Sequence, residues 1–265
     1  MSIFAPGFLR QLQVEADPEA RGYPFDLPVL TRLMESGRID FDPGVTFLVG
    51  DNGSGKSTLI EALATAAGFN AEGGSTSFRF ATRSSESSLG AHLVLRWNRR
   101  PRTGYFLRAE SFYNVATEIE RLDREGPTPL LPAYGGRSPH ERSHGQSFLD
   151  LAIHRFGPQG LYILDEPEAA LSVQGCLALM VRMRELLAQG SQFVVATHSP
   201  ILLAYPGARI LQLEADGTIE HVGYDRAEPV ALTRAFVNRP DRFLRDLFGD
   251  EDPVPPPPPD GRLLA

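Results

Sequence analysis

Lysine is all but missing from this chain. Of its 26 basic residues only Lys56 is a lysine, and every other one is arginine. Drift toward arginine explains the bias in bulk. Arginine is a planar fork and lysine a compact ammonium, so the retained lysine marks a position where the difference matters. Cysteine is nearly absent too. With Cys176 alone, no disulfide within the chain and no Cys-based zinc site can form. A reducing, cytoplasmic setting is the expectation. No apolar run is long enough to span a bilayer, and no charged-then-apolar leader opens the sequence. A soluble protein, or one held peripherally by a partner, is expected. Excess positive charge is also lacking. The formal net charge is −7, which gives little of the sequence-independent attraction that drives nucleic-acid binding.

What remains is an ordinary globular composition. The 265 residues suffice for one large α/β domain, and 42% of them are hydrophobic. One domain over residues 1–250 is expected. A tail over 251–265 is expected to be disordered and extended, because Pro253 to Pro259 is nearly all proline. Residues 45–49 read as a buried strand and Lys56 to Ala67 as a helix with Leu59, Ile60, Leu63 and Ala67 inward. Residues 90–97 and 103–108 read as an antiparallel hairpin turning at Asn98-Arg99-Arg100-Pro101. Residues 111–123 and 147–156 carry helical spacing. Leu161 to Leu164 and Phe193 to Ala196 are short apolar runs of the kind found in a parallel sheet. Leu211, Leu213 and Ile219 suggest a hairpin over Asp216-Gly217.

Between the first strand and helix lies Gly50-Asp51-Asn52-Gly53-Ser54-Gly55-Lys56-Ser57-Thr58. Glycines let such a turn point its N–H groups inward at phosphate oxygens, and the helix presents its N-terminus to the same anion. Lys56 is placed for β- and γ-phosphates and Ser57 for Mg²⁺. The second motif is an apolar strand, Leu161-Tyr162-Ile163-Leu164, that ends in two carboxylates, Asp165 and Glu166. Ligands bind at the carboxyl ends of strands in open α/β sheets. Asp165 is therefore expected in the Mg²⁺ shell, and Glu166 against the attacking water. Arg142-Ser143-His144-Gly145-Gln146-Ser147 lies just upstream of that strand. Thr197-His198-Ser199-Pro200 directly follows the strand ending at Ala196. A histidine at a strand end can donate to a γ-phosphate.

The order of these four motifs resembles the ABC-type ATPases over nearly the whole chain. The phrasing of the phosphate loop and of Ala196-Thr-His-Ser-Pro is closer to soluble SMC- and RecF-type heads than to transporter motors. Segments Asn70-Ala-Glu-Gly-Gly and Tyr105-Phe-Leu-Arg-Ala-Glu-Ser-Phe-Tyr-Asn resemble a group of small standalone bacterial ATPases. The resemblance implies a P-loop NTPase fold of ABC-head type, with a parallel-sheet core, an antiparallel flank and a small helical lobe near residues 110–142. It implies a head-to-tail dimer around two Mg-ATP, in which Ser143, His144, Gly145 and Gln146 act as the signature in trans. Ala169-Ala170-Leu171-Ser172 resembles the family's D-loop and His198 its switch histidine.

The chain departs from that pattern in three ways. His144 stands where the signature has glycine. No glutamine occurs between Ser57 and Gln146, so the family's Q-loop glutamine is missing and Glu110 is the candidate replacement as a metal-shell or water contact. Only 33 residues separate Glu110 from Ser143, too few for SMC-type arms. Tyr23 and Phe25 lie where transporter relatives keep an adenine-stacking aromatic, but core packing is the expectation for both. Cys176 and Trp97 are also expected in packed positions. Arg96, Arg99, Arg100, Arg102 and Arg108 form a cluster read as a solvated hairpin rim, or alternatively as a nucleic-acid contact. Three roles compete for the ATP cycle: a DNA or RNA clamp in repair or defence, a transporter motor, and a regulatory ATPase gating a protein partner. The missing glutamine weighs against the transporter.

Overall fold

The computed structural model describes residues 7–15, 17, 19, 21–35, 37–75, 88–125, 130–134, 136 and 144–249. Its centre is a six-stranded sheet in the order β5-β6-β7-β3-β8-β9. These strands are β3 (Val45–Gly50), β5 (Thr103–Arg108), β6 (Gly160–Asp165), β7 (Gln192–Ala196), β8 (Arg209–Leu213) and β9 (Ile219–Val222). All pairings are parallel except β8 with β9, the hairpin expected over Asp216-Gly217. Every residue of β3, β6 and β7 is buried, as covered parallel strands require. Alternate side chains serve opposite faces. Phe47, Tyr162 and Leu164 join one core with α3 (Phe112–Glu125), α4 (His144–Arg155) and α5 (Val173–Ala188). Leu48, Leu161 and Ile163 join a second core with α2 (Lys56–Ala66).

Beyond α2 lies a three-stranded antiparallel sheet in the order β2-β1-β4, made of β1 (Leu9–Val14), β2 (Arg38–Asp40) and β4 (Leu93–Trp97). The expected hairpin of residues 90–97 and 103–108 is therefore not formed. β4 pairs with β1 in the small sheet, and β5 pairs with β6 in the large one. The short Asn98–Arg102 link reads as a turn in sequence, but it carries the chain from one layer to the other. Gln192 on β7 ties the layers together. Its Oε1 accepts from the Phe8 and Leu9 N–H groups, and its Nε2 donates to the Leu9 and Asp42 carbonyls, each at 2.8 Å. That is the full capacity of an amide side chain, and Gln192 is wholly buried.

α4 and α5 pack together. Arg182 of α5 donates to the carbonyls of Ala152, Ile153 and Phe156 at the end of α4, at 3.3, 3.0 and 2.7 Å. A cation there satisfies carbonyls that the helix leaves unpaired. Ser172 caps α5 by accepting from Gly175 N–H at 3.2 Å. Cys176 is buried in this core, as expected. Of the expected helical lobe, residues 126–129, 135 and 137–142 lie outside the described residues, as does the tail over 251–265.

Candidate nucleotide site

The phosphate loop joins the central strand β3 to α2. Gly53 and Gly55 take φ of +83° and +92°, a left-handed region that side chains with a Cβ disfavour. Lys56 is buried, and its Nζ donates to the Asp51 carbonyl at 3.4 Å. Burial lowers the Lys56 pKa, while Glu166, Asp165, Asp51 and Glu168 pull it back up. The loop therefore holds its one ammonium in a largely dry position, countered by carboxylates.

Asp165 ends β6 beside that loop. Its Oδ1 lies 3.3 Å from Ser57 Oγ, which donates to it. Its Oδ2 lies 3.3 Å from Arg108 Nε. Burial pushes Asp165 up to about 6; Arg108, Ser57 and Lys56 oppose that rise and Glu166 adds to it. Glu166 follows in a left-handed turn, φ +48° and ψ +52°. For a non-glycine residue this conformation costs roughly 1–3 kcal/mol and clusters at functional sites. Its N–H is held by the Ala196 carbonyl at 2.9 Å. A cleft of about 370 Å³ opens here, lined by Ser57, Ala109, Glu110, Asp165, Glu166, Ala169 and Ala170. Glu110, the candidate for the missing glutamine, thus borders the same space, with its side chain 88% exposed.

His198 follows β7, the neighbour of β6. Its Nε2 is 3.7 Å from Glu166 Oε1 and has no hydrogen-bond partner among the described residues. Its backbone N–H is held by Glu168 Oε1. A ring nitrogen buried beside Glu166 without a hydrogen-bond partner is a polar group whose full pairing calls for one more partner. At the start of α4, a Cβ on Gly145 would lie 3.0 Å from the Ala170 carbonyl. The glycine lets this turn press close against the loop after Glu166. Arg142 and Ser143 lie outside the described residues, as does the His144 side chain, and Gln146 is exposed.

Two expectations are corrected. Arg108 is not on an exposed rim: its side chain is 17% exposed, and its Nη1 donates to Glu61 Oε2 at 2.8 Å. The strand ends β5 and β6 share a register in which Arg108 stands opposite Asp165, so the arginine is drawn into the site. Tyr23 is not core. It is 72% exposed, with its hydroxyl 3.0 Å from Thr58 Oγ1, while Phe25 is buried. Of the remaining arginines, Arg99 lies over the Phe8 ring at 4.5 Å and Arg100 over Trp97 at 4.4 Å.

The role of Glu61 went unread in sequence, although the signal was present. It lies four residues after Ser57, on the same face of α2, and the runs Tyr105-Phe-Leu-Arg108 and Tyr162-Ile-Leu-Asp165 end alike in a charge.

An AAA domain family model matches residues 32–109, the stretch that holds the phosphate loop and β5. The cbiO1 structure from Clostridium perfringens, described as part of the ABC transporter complex cbiONQ, superposes with a TM-score of 0.50 at 15% identity. The match covers 91% of this chain and 100% of that one. The fold is that of an ABC-type ATPase head. The SMC head domain from Thermotoga maritima is also similar, with a TM-score of 0.41 at 16% identity over 81% of this chain and 98% of its own. A Streptomyces avermitilis protein with the provisional name of ABC transporter ATP-binding protein is 32% identical over 192 residues, which is 67% of this chain. The ATPase head spans about a third of the length of that relative, 33%. Among the described residues of the head, no helix is long and apolar enough to cross a membrane.

Asp165 sets a pH dependence for the head itself. A carboxyl whose folded pKa is raised contributes full stability below its unfolded value near 4, and that contribution is lost as pH rises through about 6. At pH 8 the ionised group therefore costs the nucleotide-free chain at most about 3 kcal/mol, two units at 1.36 kcal/mol each. Asp165→Asn should melt several degrees higher than the parent at pH 8, and the gap should close toward pH 4. Scanning calorimetry across that range reads it; an equal gap at both ends would disprove the assignment.

Proposed function

We propose that this head binds Mg-ATP on the phosphate loop and hydrolyses it with Glu166 holding the attacking water. The observation that carries the reading is the meeting of Ser57 and Asp165 at 3.3 Å beneath a buried lysine. A hydroxyl and a carboxylate are the hard oxygen donors that Mg²⁺ accepts. Among the described residues no group of three or more His, Cys, Asp or Glu could hold a metal alone. Mg²⁺ takes one or two protein ligands and fills the rest from phosphates and water, so the Ser57–Asp165 pair is enough for it. When bound, the ion supplies charge neutralisation at the β- and γ-phosphates.

The chain's own residues do the rest. Lys56 holds the phosphates in place. Glu166, beside the cleft, orients water and accepts its proton. His198, whose Nε2 has no hydrogen-bond partner among the described residues, donates to the γ-phosphate. The close contact of Gly145 with Ala170 supports a second part of the reading. Signature and D-loop would present one continuous surface to a second head, and Ser143 and Gly145 would reach the partner's γ-phosphate. Ser57, Asp165 and Glu110 form the metal side of each site. The pair would close on ATP and part after hydrolysis.

The role of a transporter's ATP-binding subunit is the second reading, favoured by the name of the Streptomyces relative. The chemistry proposed is the same in both. Phosphate release by the purified chain, measured with Mg²⁺ and with EDTA, tests it. Release should require the metal; equal or absent release in both would overturn the proposal.

A further inference from the structure

One guanidinium at the edge of the nucleotide site touches three carboxylates, and the proposed chemistry does not use it. Arg108 Nη1 donates to Glu61 at 2.8 Å, Nε lies 3.3 Å from Asp165 Oδ2, and Nη2 lies 3.5 Å from Glu110. The arrangement follows from two regularities. Ser57 and Glu61 are one turn apart on α2, so both face the same way. Arg108 and Asp165 are opposite each other at the ends of β5 and β6. One helix face thus meets two strand ends, giving two parallel contacts, Ser57 with Asp165 and Glu61 with Arg108.

The two oxygens of Asp165 are therefore used differently. Oδ1 faces Ser57 and Oδ2 faces Arg108. We propose that Arg108, held by Glu61, is a positioning residue that fixes the Asp165 carboxylate so that Oδ1 is presented on the Ser57 side, where Mg²⁺ is taken up. This rests on the Mg-ATP reading above and assigns its metal side a second layer of residues.

An arginine suits this task better than a lysine. Its planar fork spans Glu61 and Asp165 at once, whereas an ammonium is a point charge. The cluster is shielded from solvent, with Arg108 and Glu61 17% and 18% exposed and Asp165 6%; Arg108 hydrogen-bonds Glu61 and meets Asp165 as an ion pair, without a hydrogen bond from Nε. Groups that orient a metal ligand typically govern metal affinity by 10- to 100-fold. Among the described residues the ion-pair partners of Arg108 are Glu61, Glu110 and Asp165, none of them in the phosphate loop, so nucleotide binding without metal should not depend on it.

The test is binding of the fluorescent analogue mant-ATP, first in EDTA and then across a Mg²⁺ titration. Arg108→Gln should keep metal-free affinity within about twofold of the parent. Its Mg²⁺ midpoint should rise about 10- to 100-fold, and Arg108→Lys should recover only part of the loss. Breaking a buried pair from one side can unfold a protein. The double variant Arg108→Gln/Glu61→Gln removes both charges together and should show the same rise in midpoint. Manganese binding followed by electron paramagnetic resonance, with ADP present, should weaken in parallel. An unchanged Mg²⁺ midpoint in folded variants overturns the proposal, as does an equal loss with and without metal, which marks a structural role only. If the parent itself binds no mant-ATP, or binds it without regard to Mg²⁺, the Mg-ATP reading falls, and this inference with it.

Discussion

Lys56→Ala should lose Mg-ATP binding by roughly a hundredfold or more. A hydrogen bond to a charged group contributes about 1.5–3 kcal/mol net, and Lys56 is placed to make more than one. No neighbouring lysine can substitute, because the chain has none. The loss should exceed the contact itself. The buried ammonium also offsets Asp165 and Glu166, so its removal leaves those carboxylates to repel the incoming triphosphate. Isothermal calorimetry reads the affinity directly. An unchanged dissociation constant would remove the phosphate-loop assignment altogether, whatever the ATPase activity.

Glu166→Gln should bind ATP about as well as the parent and turn over about 10² to 10⁴ times more slowly, the range a positioned general base contributes. The amide is close in shape to the carboxylate, so the left-handed turn and the Ala196 contact should persist. What disappears is the ability to accept a proton from water. If two heads close on ATP, this variant should accumulate as a dimer on size-exclusion chromatography when ATP is present. Adding Ser143→Arg should return it to monomer without loss of nucleotide. A Glu166→Gln protein that hydrolyses at the parental rate refutes the catalytic assignment. One that binds ATP and stays monomeric refutes the paired mechanism alone.

The parts of this site that could be read in sequence are those whose chemistry is contiguous. The phosphate loop and the Leu161–Glu166 strand each carry their geometry in fewer than ten neighbouring residues. Arg108 could not be placed that way. Its role depends on the register between β5 and β6 and on a helix face 47 residues distant. Its neighbours Arg99, Arg100 and Arg102 made it look like one of a surface cluster. The same short link made two layers look like one hairpin, because five residues suit either a turn or a crossing. Tyr23 misled for a different reason: its ring suggests the core, but its hydroxyl finds Thr58 at the surface.

Gln192 has a mechanical consequence. Four hydrogen bonds from a single buried amide cross from β7 to the start of β1 and the approach to β3. Rocking the small sheet against the large one would strain the bonds to Phe8 and Leu9 together, and Gln192 is wholly buried from solvent. The two layers therefore behave as one stiff plate, with α2 clamped between them. A seam tied in this way resists shear between the two layers, which makes it a poor place for a hinge.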